Sequence, residues 1–201
     1  DFLNKDPEKR KLYHRVLCKY AVRDYCELGK KIDFSKHRSI VDIGGSTGTV
    51  LEILISKYPD LSGHLLDLPA VIDQIPLSSS LRKTIQLHSC DFFKIWPLLK
   101  VDAALLCRVI HDWSNENALH ILKQTYALLR DGSSRLYVIE NILDKNTANG
   151  ALLNLNMLVM TGGQERTLDE FSSLFKKAGF SIESTIPLNL VSSILILKPL
   201  K

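Results

Sequence analysis

The chain has 201 residues, which is enough for one domain with a hydrophobic core but short for two. Hydrophobic residues make up 45% and charged residues 24%, and the net charge is +4 with Lys and Arg scattered along the chain. These values exclude a strongly basic nucleic-acid-binding protein, and no apolar run reaches the ~18 residues of a membrane span. We therefore expect neither nucleic acid nor a membrane as a partner.

The four cysteines do not form a zinc or disulfide pattern. No two of them have CxxC spacing, and no Cys/His cluster has zinc spacing; they are Cys18, Cys26, Cys90 and Cys107. Cys18 and Cys26 lie on one predicted helix roughly 12 Å apart, too far for a disulfide. We expect reduced thiols, no metal, and a cytoplasmic location.

Along the chain, helices are predicted to alternate with short apolar strands. Asp6 and Pro7 form a helix start signal, and apolar residues keep helical spacing to about residue 31. Further helices are predicted at 48–57, 70–75, 114–130 (capped by Ser114 and ended at Asp131-Gly132), 148–160 and 168–179. Strands are predicted at 39–43, 64–68, 84–88, 101–110, 135–142, 180–186 and 192–198.

This alternation predicts an α/β fold of the Rossmann-like type. The sheet is expected to be seven-stranded and mostly parallel, with an antiparallel pair at the C-terminus and helices on both faces. Ligands of such sheets bind beyond the carboxyl ends of the strands. The polar or glycine signals predicted at those ends are Gly44-Gly45, Asp67, Asp91, His111 and Glu140.

The stretch VDIGGSTGTV predicts a nucleoside-binding loop between a strand and a helix. Asp67 follows Gly48 by nineteen residues, close to the spacing of an acid that binds ribose hydroxyls. Asp42 precedes the first glycine by two residues, and its charge favours a cofactor with a cationic amine over a pyrophosphate. S-adenosylmethionine meets this requirement; a plain strand-to-helix turn is the alternative.

Six motifs resemble the S-adenosylmethionine-dependent O-methyltransferases of the caffeic acid and hydroxyindole type. They are VDIGGSTG, LLDLP, CDFF, RVIHDWSNE, VIENIL and GGQERTLDEF…AGF, in the order of the family and over the whole chain. The resemblance implies the class I methyltransferase fold, the cofactor S-adenosylmethionine with S-adenosylhomocysteine as its product, and no metal. The substrate it implies is a small aromatic or enolic molecule that is methylated on a hydroxyl.

The resemblance also implies a role for each matched residue. His111 would be the general base, bracketed by Glu140 and Glu165 as further catalytic residues. Asp67 would hold the ribose of the cofactor. The full set of cofactor-binding residues would be Asp42, Gly44, Gly45, Asp67, Leu68, Asp91, Phe92 and Arg108. The acceptor would contact Asp112, Asn156, Met157 and Met160.

The sequence departs from the family at three places. Ser46 and Cys90 each stand where the family usually has glycine, and the family's N-terminal dimerisation domain is absent. We divide the chain into a helical lead-in, 1–35, and a catalytic domain, 36–201. Because the chain starts at Asp1, we expect a module of a larger multidomain enzyme whose acceptor, such as a polyketide, arrives on a carrier protein.

Other interpretations remain open from the sequence alone. The chain could be a nicotinamide-dependent oxidoreductase, a non-catalytic cofactor-binding scaffold, or an N- or C-methyltransferase. His111 could be a structural strand-end histidine, and Glu165-Arg166 a surface ion pair. Met157 and Met160 could belong to the core.

Overall fold

One mixed sheet forms the centre of the computed structural model, which describes residues 7–75, 81–129, 132–144 and 148–200. Its strands are β1 (Ser39–Ile43), β2 (Ser62–Asp67), β3 (Ile85–Ser89), β4 (Ala103–Cys107), β5 (Arg135–Asn141), β6 (Phe180–Pro187) and β7 (Ser192–Pro199). Within the described residues the seven strands have the order β3-β2-β1-β4-β5-β7-β6. Only β7 runs antiparallel to its neighbours β5 and β6, which confirms the predicted C-terminal pair.

Helices cover both faces of the sheet, as predicted. They are α1 (Pro7–Tyr25), α2 (Leu28–Lys31), α3 (Thr49–Lys57), α4 (Pro69–Ile72), α5 (Leu81–Thr84), α6 (Asn115–Leu128), α7 (Ala148–Met160) and α8 (Leu168–Ala178). Alternate residues of a strand point to opposite faces. Val41 and Ile43 therefore join a hydrophobic cluster with α6 and α8, whereas Ile40 joins a second cluster with α2 and α3.

The strand order places a ligand cleft at the end of β1. The chain runs outward from β1 through β2 to β3, then crosses back to β4 on the other side of β1. The loops that follow β1 and β4 therefore leave the sheet in opposite directions and open a crevice between them. Ser114 caps α6 by accepting a hydrogen bond from the Asn117 N–H, as predicted.

The predicted strand 101–110 is wrong at its C-terminal end. β4 stops at Cys107 because Arg108 has a left-handed backbone with φ 55°, which an extended strand does not accommodate. Ile110–Asp112 then form a 3-10 turn. His111 is thus held in a turn beyond the strand, not at a strand end. The other strand bounds differ from the prediction by at most two residues.

The predicted helix 6–31 is divided in two. α1 ends at Tyr25, and α2 begins after a turn, so that Tyr25, Leu28 and Phe34 all enter the core beside Ile40. The predicted cap Asp6 and the predicted helix end at Arg130 and Asp131 lie outside the described residues. The division at residue 35 stays a prediction, and the core contains residues from both sides of it.

Among the described residues, no helix combines the length and apolar character needed to cross a bilayer.

Candidate active site

A cavity of about 530 Å³ opens at the carboxyl edge of β1, β2 and β4. It falls within the ~300–1,000 Å³ range typical of small-molecule sites. Thirteen of the predicted site residues line it: Asp42, Gly44, Gly45, Asp67, Leu68, Asp91, Phe92, Arg108, His111, Asp112, Asn156, Met157 and Met160. Glu140 and Glu165 do not line the cavity, because both lie buried behind His111.

The glycine loop brings the backbone close to the cavity. Gly44 has φ +73°, and a Cβ there would contact the side chains of Val109 and Phe92. Ser46, which replaces a family glycine, also has a left-handed backbone, with φ 55°. Its N–H donates to Asp67 Oδ2 at 2.8 Å, and the Leu68 N–H donates to Asp67 Oδ1 at 2.7 Å. The loop therefore holds Ser46 in a backbone conformation that glycine adopts more readily.

Asp42 is a buried carboxylate without a hydrogen-bond partner in the described part of the chain. It has no exposed surface, and neither of its oxygens accepts a bond there. Burial, reinforced by the negative charge of Asp67, raises the pKa of Asp42 to about 7. Burial also raises the pKa of Asp67, to about 6. An unpaired acid at a cavity wall is costly unless a ligand supplies its donor.

Glu140 holds the turn that carries His111. Its Oε1 accepts hydrogen bonds from the backbone N–H groups of Ile110 at 2.9 Å and His111 at 3.3 Å. Its Oε2 pairs with Arg108 Nη1 at 3.0 Å. Burial raises the pKa of Glu140 despite the opposing charges of His111 and Arg108.

Glu165 contacts the imidazole itself. Its Oε1 lies 3.4 Å from His111 Nδ1 and 2.9 Å from Arg108 Nη2. Burial would lower the pKa of His111, but Glu165, Glu140 and Asp112 outweigh that effect and raise it. Burial would likewise raise the pKa of Glu165, which its bonds to His111 and Arg108 lower instead.

Two asparagines support Glu165 from the far side. Asn141 Nδ2 donates to Glu165 Oε1 at 3.3 Å, and the Glu165 N–H donates to Asn154 Oδ1 at 2.9 Å. Asn141 is in turn bonded by the Ser192 hydroxyl at 3.2 Å. Glu165 is therefore fixed by β5, β7 and α7 together.

Within the described residues, His111, Glu140 and Glu165 also form one group with metal-ligand spacing. One ligand atom from each lies within 4.8 Å of the others. The guanidinium of Arg108 already bridges the two carboxylates. Since this cation occupies the acceptor positions that a metal ion needs, a metal would have to displace Arg108.

Part of the cavity wall was not predicted from the sequence. Tyr20, Ala21, Asp24 and Tyr25 of α1 line it, although α1 was predicted to be a lead-in. Their i, i+4 spacing places them on one helix face, and that was the available signal. Trp113 lines it too, with its ring 4.9 Å from that of Phe93.

The chain matches the O-methyltransferase domain family over residues 1–181. It is 30% identical over 188 residues to the mitomycin biosynthesis 6-O-methyltransferase of Streptomyces lavendulae, covering 92% of this chain and 53% of that protein. It is 34% identical over 185 residues to the caffeic acid 3-O-methyltransferase of Prunus dulcis, covering 87% and 48%. The crystal structure of human N-acetylserotonin methyltransferase in complex with S-adenosylmethionine has a TM-score of 0.89 at 26% identity, covering 98% of this chain and 57% of that one.

The chain thus spans about half the length of the curated relatives it matches. The structural likeness confirms the class I methyltransferase fold that the motifs implied. The match to the family extends over nearly the whole chain, from the first predicted helix to β6. The chain therefore belongs to the O-methyltransferase family, with relatives among the caffeic acid and acetylserotonin enzymes.

Proposed function

We propose that this chain is the catalytic domain of an S-adenosylmethionine-dependent O-methyltransferase that acts on a small aromatic or enolic hydroxyl compound. One observation carries the proposal. A single cavity is lined by the glycine loop with the unpaired Asp42 carboxylate and by His111, whose ring is in contact with the buried Glu165 behind it. The first part fits a cationic cofactor, and the second part fits the removal of a proton.

The residues at the glycine loop fit the cofactor. Asp42 would accept from the ammonium group, and Asp67, already fixed by two backbone N–H groups, would hold the ribose. Asp91 and Phe92 line the same cavity and would flank the adenine, next to Leu68. When bound, S-adenosylmethionine supplies an electrophilic methyl group on a sulfonium centre. The backbone at Gly44 and Gly45 leaves room for close approach.

His111 would act as the general base through Nε2. Its Nδ1 faces Glu165, which fixes the proton on Nδ1 and leaves Nε2 as the acceptor. A phenol with pKa of about 10 and a histidine at about 6.5 differ by roughly 3.5 units, or about 5 kcal/mol. Because the acids around the ring raise the pKa of His111, this gap is smaller in the protein. Asp112 Oδ1, 3.6 Å from Nε2, adds to the stabilisation of the imidazolium.

The acceptor would lie against α7 and the aromatic pair. Asn156, Met157 and Met160 of α7 line the cavity, as do Phe93 and Trp113. Flat apolar surfaces of this kind favour an aromatic or enolic ring. The relatives named for caffeic acid and mitomycin support the same substrate class. We also propose that the acceptor arrives on a carrier protein and that the chain is part of a larger multidomain enzyme in the cytoplasm.

The test is methyl transfer from labelled S-adenosylmethionine to a panel of small phenols and enols, each offered free and as a carrier-bound thioester. We expect transfer to oxygen, with a loss of at least about 100-fold in kcat for His111→Ala at unchanged cofactor affinity. His120→Ala, on an exposed face of α6, is the matched control. Full activity of the His111→Ala protein would refute the general base, and transfer only to amines would refute O-methylation.

The nicotinamide alternative makes a different prediction for binding. The buried Asp42 would repel a pyrophosphate, so NADH should bind far more weakly than S-adenosylmethionine. Titration calorimetry with both compounds decides between them.

A further inference from the structure

Arg166 carries a buried cation outside the cavity. The residue is 1% exposed, and its side chain is among the largest fully buried side chains of the described residues. This excludes the surface ion pair that the sequence left open for Glu165-Arg166. Within the described part of the chain, every hydrogen bond of the guanidinium goes to a neutral oxygen.

Two of those four oxygens are main-chain carbonyls of the turn that carries His111, and the other two belong to Asn115 and Gln164. Nη1 donates to Ile110 O at 2.9 Å, and Nη2 donates to Trp113 O at 2.8 Å. Nε donates to Asn115 Oδ1 at 3.0 Å, at the start of α6. The planar guanidinium therefore binds both ends of the turn, Ile110 and Trp113, and also Asn115, the first residue of α6.

The main chain of Arg166 is fixed to the sheet. The Leu143 N–H donates to Arg166 O at 2.8 Å, and Arg166 pairs with Ile142 in an isolated parallel bridge just beyond β5. Arg166 thus connects the end of β5 to the turn through its main chain and its guanidinium. A lysine could not replace it fully, because a single ammonium does not offer donors in a fixed planar fork.

Neighbours of Arg166 contact the same turn. The Gln164 N–H donates to His111 O at 2.8 Å, and Gln164 Nε2 donates to Asn115 Oδ1 at 2.7 Å. A Cβ at Gly163 would collide with the carbonyl oxygen of His111. Residues 163–166, including Glu165 in contact with the imidazole, therefore pack directly against the turn and bind it.

We propose that Arg166 is a positioning residue that fixes the turn 110–113 so that the imidazole of His111 keeps its contact with Glu165 and its direction into the cavity. This inference rests on the proposed function of His111 as the base. Arg166 itself does not line the cavity in which the cofactor and the acceptor would lie. Its loss should therefore change the chemical step and leave binding intact.

The kinetic test measures Arg166→Met, Arg166→Lys and Asn115→Ala beside a control substitution at another arginine. Arg135, which also donates to backbone carbonyl oxygens but lies at the opposite end of β5, supplies the control Arg135→Met. We expect kcat to fall on the order of 100-fold for Arg166→Met, because about 1 Å of misplacement at a base costs that much. The lysine variant should lie between wild type and Met. The KM of the acceptor and the Kd of S-adenosylhomocysteine should stay within about twofold.

A second measurement needs no turnover. The imidazole of His111, assigned by comparison with His111→Ala, is titrated by NMR in the wild type and each variant. Loss of the contact with Glu165 should lower the pKa of His111 in Arg166→Met, with no change in Arg135→Met.

The outcomes separate the inference from the proposed function. If no acceptor is methylated but the titration of His111 shifts as expected, the proposed function fails and the positioning role stands. If Arg166→Met keeps kcat within about threefold and the titration of His111 is unchanged, the positioning role is wrong. If Arg166→Met does not fold, the exposed Asn115→Ala and the lysine variant decide by the same two readouts. Equal losses in kcat and in cofactor affinity would indicate general disruption and also overturn the inference.

Discussion

Replacing Asp42 by asparagine should weaken cofactor binding and remove most of its dependence on pH. The Asp42 carboxylate is fully buried, its oxygens have no partner in the described residues, and its pKa is raised to about 7 by burial and by Asp67. A cationic ligand binds the ionised form, so affinity follows the ionised fraction. Asparagine keeps the shape but loses the charge, which should cost about tenfold in Kd at pH 7.

The size of the pH effect follows from the two raised carboxyl groups. Between pH 7 and pH 6 the ionised fraction of Asp42 falls about fivefold, and that of Asp67, with a pKa of about 6, falls about twofold. The wild type should therefore bind about tenfold more weakly at pH 6, and the Asp42→Asn protein only about twofold more weakly. The amine of the cofactor, with pKa of about 7.7–8.0, stays protonated in this window.

Titration calorimetry with S-adenosylhomocysteine, in buffers of different ionisation enthalpy, measures both affinity and proton release. The wild type should release more protons at pH 6 than the Asp42→Asn protein. The exposed Asp60→Asn is the matched control and should behave as wild type. A tenfold pH effect that persists in Asp42→Asn would show that this carboxylate does not face the ammonium, and the reasoning would be refuted.

Four further predictions follow from the same geometry. Glu165→Gln should lower the pKa of His111 and move the acidic limb of the kcat/KM profile to lower pH; an unmoved limb would contradict the contact. Arg108→Met should move that limb to higher pH, because the charge of Arg108 lowers the pKa of His111. The same substitution should lower the free energy of unfolding, measured with denaturant, by about 3 kcal/mol, because it leaves buried carboxylates without their cation. Gly163→Ala should lower kcat without changing cofactor Kd, because its Cβ meets the His111 carbonyl; wild-type kcat would refute this. Because the pKa of Asp42 is raised in the folded protein, the protonated acid stabilises the fold at low pH, and this contribution to the free energy of unfolding is lost as pH rises through about 7. Without ligand, the Asp42→Asn protein should therefore have a higher thermal stability than wild type at pH 8 but not at pH 4.

The fold was predictable because its signals are local. The strand β1 and the start of α3 follow from apolar runs and glycines that act over a few residues, and both agree with the prediction. The end of β4 was not predictable in the same way. Arg108 has a left-handed backbone that its residue type does not favour, and tertiary contacts to Glu140 and Glu165 hold it there.

The sequence by itself determined the α/β class, the glycine loop proposed to hold the cofactor, and the candidacy of His111, because these depend on periodicity and on short motifs. Only the tertiary structure decided how the candidates are arranged. It placed Glu140 on the backbone of the His111 turn, Glu165 on the imidazole, and the guanidinium of Arg166 across the turn. These contacts join residues more than 25 positions apart, and hydrogen bonds over such separations depend on how the strands and helices pack, which no local pattern in the sequence records.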